Sequence, residues 1–119
     1  EVKKNAYAPY SKFKVGAAIY TENGNIYTGC NVENASFGGT ICAERGAAMT
    51  AIASEGKISF KLIAIASDAE EPAPPCAICR QFLSEFVDED TQVYLVSSKS
   101  KTLRHHDFAT LMPYSFTEF

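Results

Sequence analysis

Thr40-Ile41-Cys42-Ala43-Glu44-Arg45 and Pro75-Cys76-Ala77-Ile78-Cys79-Arg80 are the two stretches that organise this chain of 119 residues. Each reads as the first turn of a helix. Together they offer three thiols, a carboxylate and an arginine beside each thiol group. Three soft ligands and one acid describe a catalytic zinc site that keeps a fourth position open. Cys76 and Cys79 lie one helical turn apart on one face, where both sulfurs reach a single ion. Positions two apart on a regular helix point to nearly opposite sides. Cys42 and Glu44 therefore share a site only if their helix begins at Cys42 and leaves its first turn open. Thr40, Ile41 and Cys42 are each candidates for the cap.

Working outward, the first helix is expected from about Cys42 to Ser54, stopped by Gly56. Ahead of it, Phe13 to Tyr20 and Ile26 to Val32 read as strands joined at Asn23-Gly24, a hairpin signal. Asn34 to Gly39 is a loop of small residues. Lys61 to Ser67 is a buried strand, and the acidic, proline-rich Asp68 to Pro75 is a loop. The second helix is expected over Cys76 to Phe86, with Ile78, Phe82 and Phe86 four residues apart. Val93 to Val96 and a weaker strand near Thr102 to Arg104 follow. Their connection is too short for a parallel crossover, so the two pair antiparallel. Asp107 then caps a short helix through Met112, ended by Pro113. The opening Glu1 to Tyr7 reads as the tail of a helix already under way, stopped by Pro9, so a truncated N-terminal helix is expected.

The length fits a single domain over residues 1–119. A content of 46% hydrophobic and 21% charged residues is that of a globular protein. Neither a membrane-length apolar run nor a signal-peptide pattern is present, which points to a cytoplasmic protein and favours metal ligation over disulfides for the four cysteines. A formal net charge of −3 argues against a nucleic-acid partner, which calls for a basic face.

The pattern of zinc deaminases is H-x-E…P-C-x-x-C, and here a cysteine stands in place of the histidine. With that change the chain resembles the small homotetrameric zinc-dependent cytidine deaminase family. The likeness extends to Tyr7-Ala8-Pro9-Tyr10-Ser11, Phe13 to Ala18, Gly29 to Ser36, and Leu111-Met112-Pro113 with Phe116. It implies a three-layer α/β/α fold on a mixed five-stranded sheet with the last two strands antiparallel. It implies hydrolysis of cytidine and 2′-deoxycytidine in pyrimidine salvage, on a Zn2+ ion held by Cys42, Cys76 and Cys79. Glu44 would move protons, and Arg45 would hydrogen-bond a zinc-bound sulfur. Phe13 would pack on the pyrimidine beside Ala43, while Asn31 and Glu33 hold the ribose 3′-hydroxyl. The likeness further implies a homotetramer in which Ala35, Phe37 and Phe116 serve neighbouring subunits' sites.

Phe37 stands where many relatives carry Tyr, Ala77 replaces a frequent Gly, and Gly39 falls where a bulkier residue is usual; none is a catalytic group. A structural zinc module of all four cysteines, including Cys30, is the non-enzymatic alternative, and it leaves Glu44, Asn31 and Glu33 without a task. A C-x-x-C redox protein leaves Cys42 and Glu44 unexplained. Nucleic-acid editing deaminases are opposed by the short link at Ser97 to Lys101. Glu33 opposes a blasticidin S deaminase.

Overall fold

The computed structural model describes residues 1–119. Strands β1 (Val15–Thr21) and β2 (Ile26–Cys30) form the hairpin that Asn23-Gly24 encodes. Gly24 takes φ +85, a left-handed value that glycine adopts without a Cβ penalty. On its other side β1 pairs antiparallel with β3 (Phe60–Ser67), and β3 pairs parallel with β4 (Val87–Ser97). β4 turns back antiparallel onto β5 (Leu103–Asp107), as the short link dictates. The result is a mixed sheet in the order β2-β1-β3-β4-β5.

Alternation along the strands decides where the core lies. Ala17 and Ile19, Ile63 and Ile65, and Val93 and Leu95 share one face. Helices α1 (Ala43–Glu55), α2 (Ala77–Leu83) and α3 (Phe108–Leu111) contribute to that same core. The small side chains of Ala43, Ala47, Ala48 and Ala51 bring α1 close to the sheet. Gly29 of β2 makes the approach closest. A Cβ there would stand 2.4 Å from the Ala47 nitrogen and 2.6 Å from the Ala43 oxygen. The first turn of α1 is thus seated backbone to backbone on β2. Gly56 ends the helix at φ +73, its N–H donating to the Ile52 oxygen at 2.8 Å.

Three elements differ from the sequence reading. The opening segment, expected as the tail of a helix, is a 3-10 turn over Val2–Asn5. Tyr7 is drawn into a parallel bridge with Val32, its N–H donating to the Asn31 oxygen at 3.0 Å, so the chain is already extended there. This turn lies on the face opposite the core, where a Cβ on Gly16 would meet the Lys3 side chain at 3.0 Å.

The second helix is Ala77–Leu83, shorter than Cys76 to Phe86. Ser84 closes it, its hydroxyl donating to the Gln81 oxygen at 2.6 Å. Phe86 leaves the helix to stack near Phe60, with centroids 5.4 Å apart, and its oxygen accepts from the Phe60 N–H at 2.8 Å. Ile78, the third member of the four-residue repeat, is 65% exposed. β4 begins at Val87 rather than Val93 because Val87 pairs with Phe60 across a register shift. The buried Thr91 hydroxyl, donating to the Phe60 oxygen at 2.7 Å, holds the acidic stretch Asp88 to Asp90 in the strand.

Candidate metal centre

Cys42 caps α1 in an extended conformation, φ −72 and ψ 155. Cys76 caps α2 in nearly the same one, φ −67 and ψ 167. The open start demanded by the spacing is met, with each cysteine at the cap and the helix beginning one residue later. Extended backbone at Cys42 removes the opposition that a regular helix would impose between it and Glu44. Cys79 sits buried in the first turn of α2, its N–H donating to Cys76 Sγ at 3.5 Å.

The sulfurs of Cys42, Cys76 and Cys79 all lie within 4.8 Å of one another, and all three are free thiols. Sulfurs around a tetrahedral zinc, each about 2.3 Å from it, stand about 3.8 Å apart. The cluster fits that ion. Cys30 lies outside the cluster, so the structure assembles a three-sulfur centre rather than a four-cysteine module.

Charge in the cluster is uneven. The Cys42 thiol is lowered to about 5, first by the hydrogen bond from Cys79 and then by Arg45, against the opposing effect of burial. Arg45 Nη2 stands 3.4 Å from Cys42 Sγ. Cys79 is pushed up, first by its hydrogen bond to Cys42 and then by burial. The hydrogen bond between the two sulfurs and the nearby Arg45 guanidinium thus favour negative charge on Cys42 over Cys79. Glu44 is 5% exposed, and burial, reinforced by the Cys42 thiolate, raises its carboxyl above the usual range.

A cavity of about 290 Å³ opens beside the cluster. Cys42, Ala43, Glu44 and Cys76 line one end, and Phe13, Asn31 and Glu33 line the other. A hollow of about 370 Å³ among Glu22, Lys57 and Glu85, at the opposite end of the sheet, carries no thiol or histidine. The chemistry gathers in the smaller cavity.

The polar end is locked to the backbone. The buried Asn31 amide accepts from the Val15 N–H at 2.9 Å and donates to the Phe13 oxygen at 2.8 Å. Glu33 Oε1 accepts from the N–H groups of Tyr10 and Ser11 at 3.0 and 3.1 Å, and Oε2 accepts from the Ser11 hydroxyl. Those bonds hold the Glu33 carboxyl below its ordinary value, the Ser11 hydroxyl contributing most.

Ala35, Phe37 and Phe116 do not line this cavity. Phe37 is 75% exposed and meets Tyr10 edge-on at 5.8 Å. Phe116, 66% exposed, is tied through its backbone to the Gln81 amide. Ser11, Thr40, Ala73 and Pro74 also line the cavity, a place the sequence reading gave to none of them. They stand on loops, where no periodicity marks which way a side chain faces; Ser11 alone had a signal, its place between Tyr10 and Phe13.

Residues 1–95 match the family described as the cytidine and deoxycytidylate deaminase zinc-binding region. The chain belongs to this family. The cytidine deaminase of Sporosarcina psychrophila is 43% identical over 118 residues, covering 99% of this chain and 85% of the relative. That of Halalkalibacterium halodurans is 41% identical over 117 residues, covering 98% of this chain and 87% of the relative. Among solved structures, cytidine deaminase from Burkholderia pseudomallei superposes with a TM-score of 0.89 at 39% identity, covering 97% of this chain and 91% of that one. The three-sulfur cluster, which is able to hold zinc, lies within the span that matches the zinc-binding region.

Proposed function

We propose that this chain hydrolyses cytidine and 2′-deoxycytidine to the corresponding uridines, releasing ammonia. The observation that carries the reading is the single cavity that joins two of the three clustered sulfurs and a buried carboxyl to an aromatic ring and two fixed polar side chains. A metal site alone would not need the second half.

Cys42, Cys76 and Cys79 are the zinc ligands in this reading. Bound zinc supplies Lewis acidity that makes water a competent nucleophile near neutral pH. Glu44 takes a proton from the attacking water, delivers it to ring N3, and then conveys the second water proton to the departing amine. Burial suits it to this, because a raised pKa lets the carboxyl hold a proton between steps. Arg45 offsets part of the negative charge that three thiolates leave on a dication. Phe13 packs on the pyrimidine beside Ala43. Asn31 and Glu33 hold the ribose 3′-hydroxyl, Asn31 with the donor and acceptor capacity left after its two backbone bonds.

The exposure of Phe37 and Phe116 on the chain's own surface supports a homotetramer in which they and Ala35 complete neighbouring pockets. Exposed aromatics beside a site are poorly accommodated by water. Sedimentation tests this part: a monomer with full activity removes it.

Ammonia release from cytidine, deoxycytidine and blasticidin S, assayed in parallel on the zinc-loaded protein, tests the reaction. Turnover of both nucleosides is expected. Strong turnover of blasticidin S alone overturns the assignment.

A further inference from the structure

The turn Tyr10–Phe13 touches both halves of the substrate end and has no assigned task. Its centre is Ser11. The Ser11 hydroxyl donates to Glu33 Oε2, and its oxygen accepts from the Phe13 N–H at 3.0 Å. The backbone N–H groups of Ser11 and Tyr10 both donate to Glu33 Oε1. One residue thus supplies two of the three donors on that carboxylate. Ser11 and Glu33 also both line the adjoining hollow that holds Tyr10, Phe37 and Thr40. The pair therefore forms the rim between the two depressions.

The turn is held in a conformation that the chain would not choose freely. Lys12 has φ +61, a left-handed value that costs a non-glycine residue on the order of 1 kcal/mol. Such strain persists only where surrounding contacts over-determine the backbone. Here those contacts are the bonds to Glu33 on one side of Lys12 and the Phe13 N–H on the other.

We propose that Ser11 is a positioning residue that sets the specificity of the pocket for a nucleoside bearing a free 3′-hydroxyl. It orients Glu33 so that a carboxylate oxygen faces the sugar. The proposal rests on the reading that Glu33 receives the 3′-hydroxyl. Its chemistry is ordinary: a carboxylate pinned by three donors loses little freedom on accepting a fourth, so binding it costs less entropy.

The test compares kcat/KM for cytidine and 3′-deoxycytidine in the zinc-loaded full chain. In Ser11→Ala, kcat/KM for cytidine should fall about tenfold, the effect of losing one charge-assisted hydrogen bond. The value for 3′-deoxycytidine should stay within about twofold, because that substrate has nothing for Glu33 to hold. Ser11→Thr, which keeps the hydroxyl, should restore discrimination. In the Glu33→Gln background, adding Ser11→Ala should bring no further loss for cytidine. Equal losses for both substrates make Ser11 merely structural and overturn the proposal. So do multiplicative losses in the double variant, or an unchanged Ser11→Ala beside an impaired Glu33→Gln. If Glu33→Gln itself leaves discrimination intact, the sugar-binding reading of Glu33 fails first and the role of Ser11 falls with it.

Discussion

At the start of α1, Arg45 turns back three residues and sets Nη2 3.4 Å from Cys42 Sγ. At the start of α2, Arg80 turns back five residues, and its Nε donates to the Pro75 oxygen at 2.8 Å. Its Nη1 donates to the Leu111 oxygen at 2.9 Å, a carbonyl in the last turn of α3. Both arginines follow a cysteine cap by one turn, and in sequence they look alike. One supplies charge to a sulfur. The other ties two stretches of backbone together beneath the sulfurs. An arginine adjacent to a ligand in sequence is thus its electrostatic partner only where no carbonyl lacking an intrahelical partner lies within reach.

The two starts therefore divide the labour. The α1 start holds one sulfur, the carboxyl and the cation, so it governs the charge of the centre. The α2 start holds two sulfurs and is braced to the C-terminal segment through Arg80 and through Gln81 with Phe116. It governs geometry. The sharpest contrast is Glu44→Gln against Cys79→Ser. The first should lower kcat on the order of a thousandfold with zinc content retained, since in the proposed mechanism it removes the proton carrier alone. The second should lose the metal along with the activity. Metal analysis beside ammonia release reads both. Zinc loss in Glu44→Gln would erase the division.

The next test asks how α1 is held. Gly29→Ala should destabilise the protein by about 3 kcal/mol, because a methyl cannot enter a gap bounded by backbone on both sides. Denaturant titration measures it. A loss below about 1 kcal/mol would mean that α1 can lift from β2 and that its first turn is not fixed by the sheet.

Legibility from sequence followed the same line. The clustering of Cys42, Cys76 and Cys79 was legible because sharing one ion imposes residue types at fixed spacings. Sheet order at β4 and β5 was readable because a short link permits one direction only. Ser11 and Pro74 were missed because loops carry no period. The run from Val87 to Thr91 was not seen as strand because its stabilising contact, Thr91 to Phe60, spans 31 positions in the chain. The contact of Arg45 with a sulfur was expected from the family resemblance, whereas that of Arg80 was invisible because Leu111 lies far from it until the chain folds.

That difference is directly breakable. Arg45→Gln should lower zinc affinity or turnover about tenfold and leave stability nearly unchanged. Arg80→Gln should cost about 1–2 kcal/mol of stability and leave zinc affinity unchanged. Indistinguishable behaviour of the two variants in both assays would end the comparison.

The smallest effect lies in the metal-free thiols. With Cys42 ionised from about 5 upward, it should be alkylated at lower pH than Cys79, which is pushed in the opposite direction. Ionisation of Cys42 also favours the folded state, since its folded value lies below the ordinary thiol value of 9.0. That contribution is fully present above the ordinary thiol range and disappears as pH falls through about 5. Arg45→Gln removes one of the groups holding the value down, so the alkylation midpoint of Cys42 should move up, by about one unit for a single charge-assisted bond. Arg80→Gln should leave that midpoint where it is. Peptide mass spectrometry of the zinc-stripped proteins, alkylated across a pH series, separates the two, and an upward shift in Arg80→Gln would show that the second arginine also reaches the sulfurs through the field of the site.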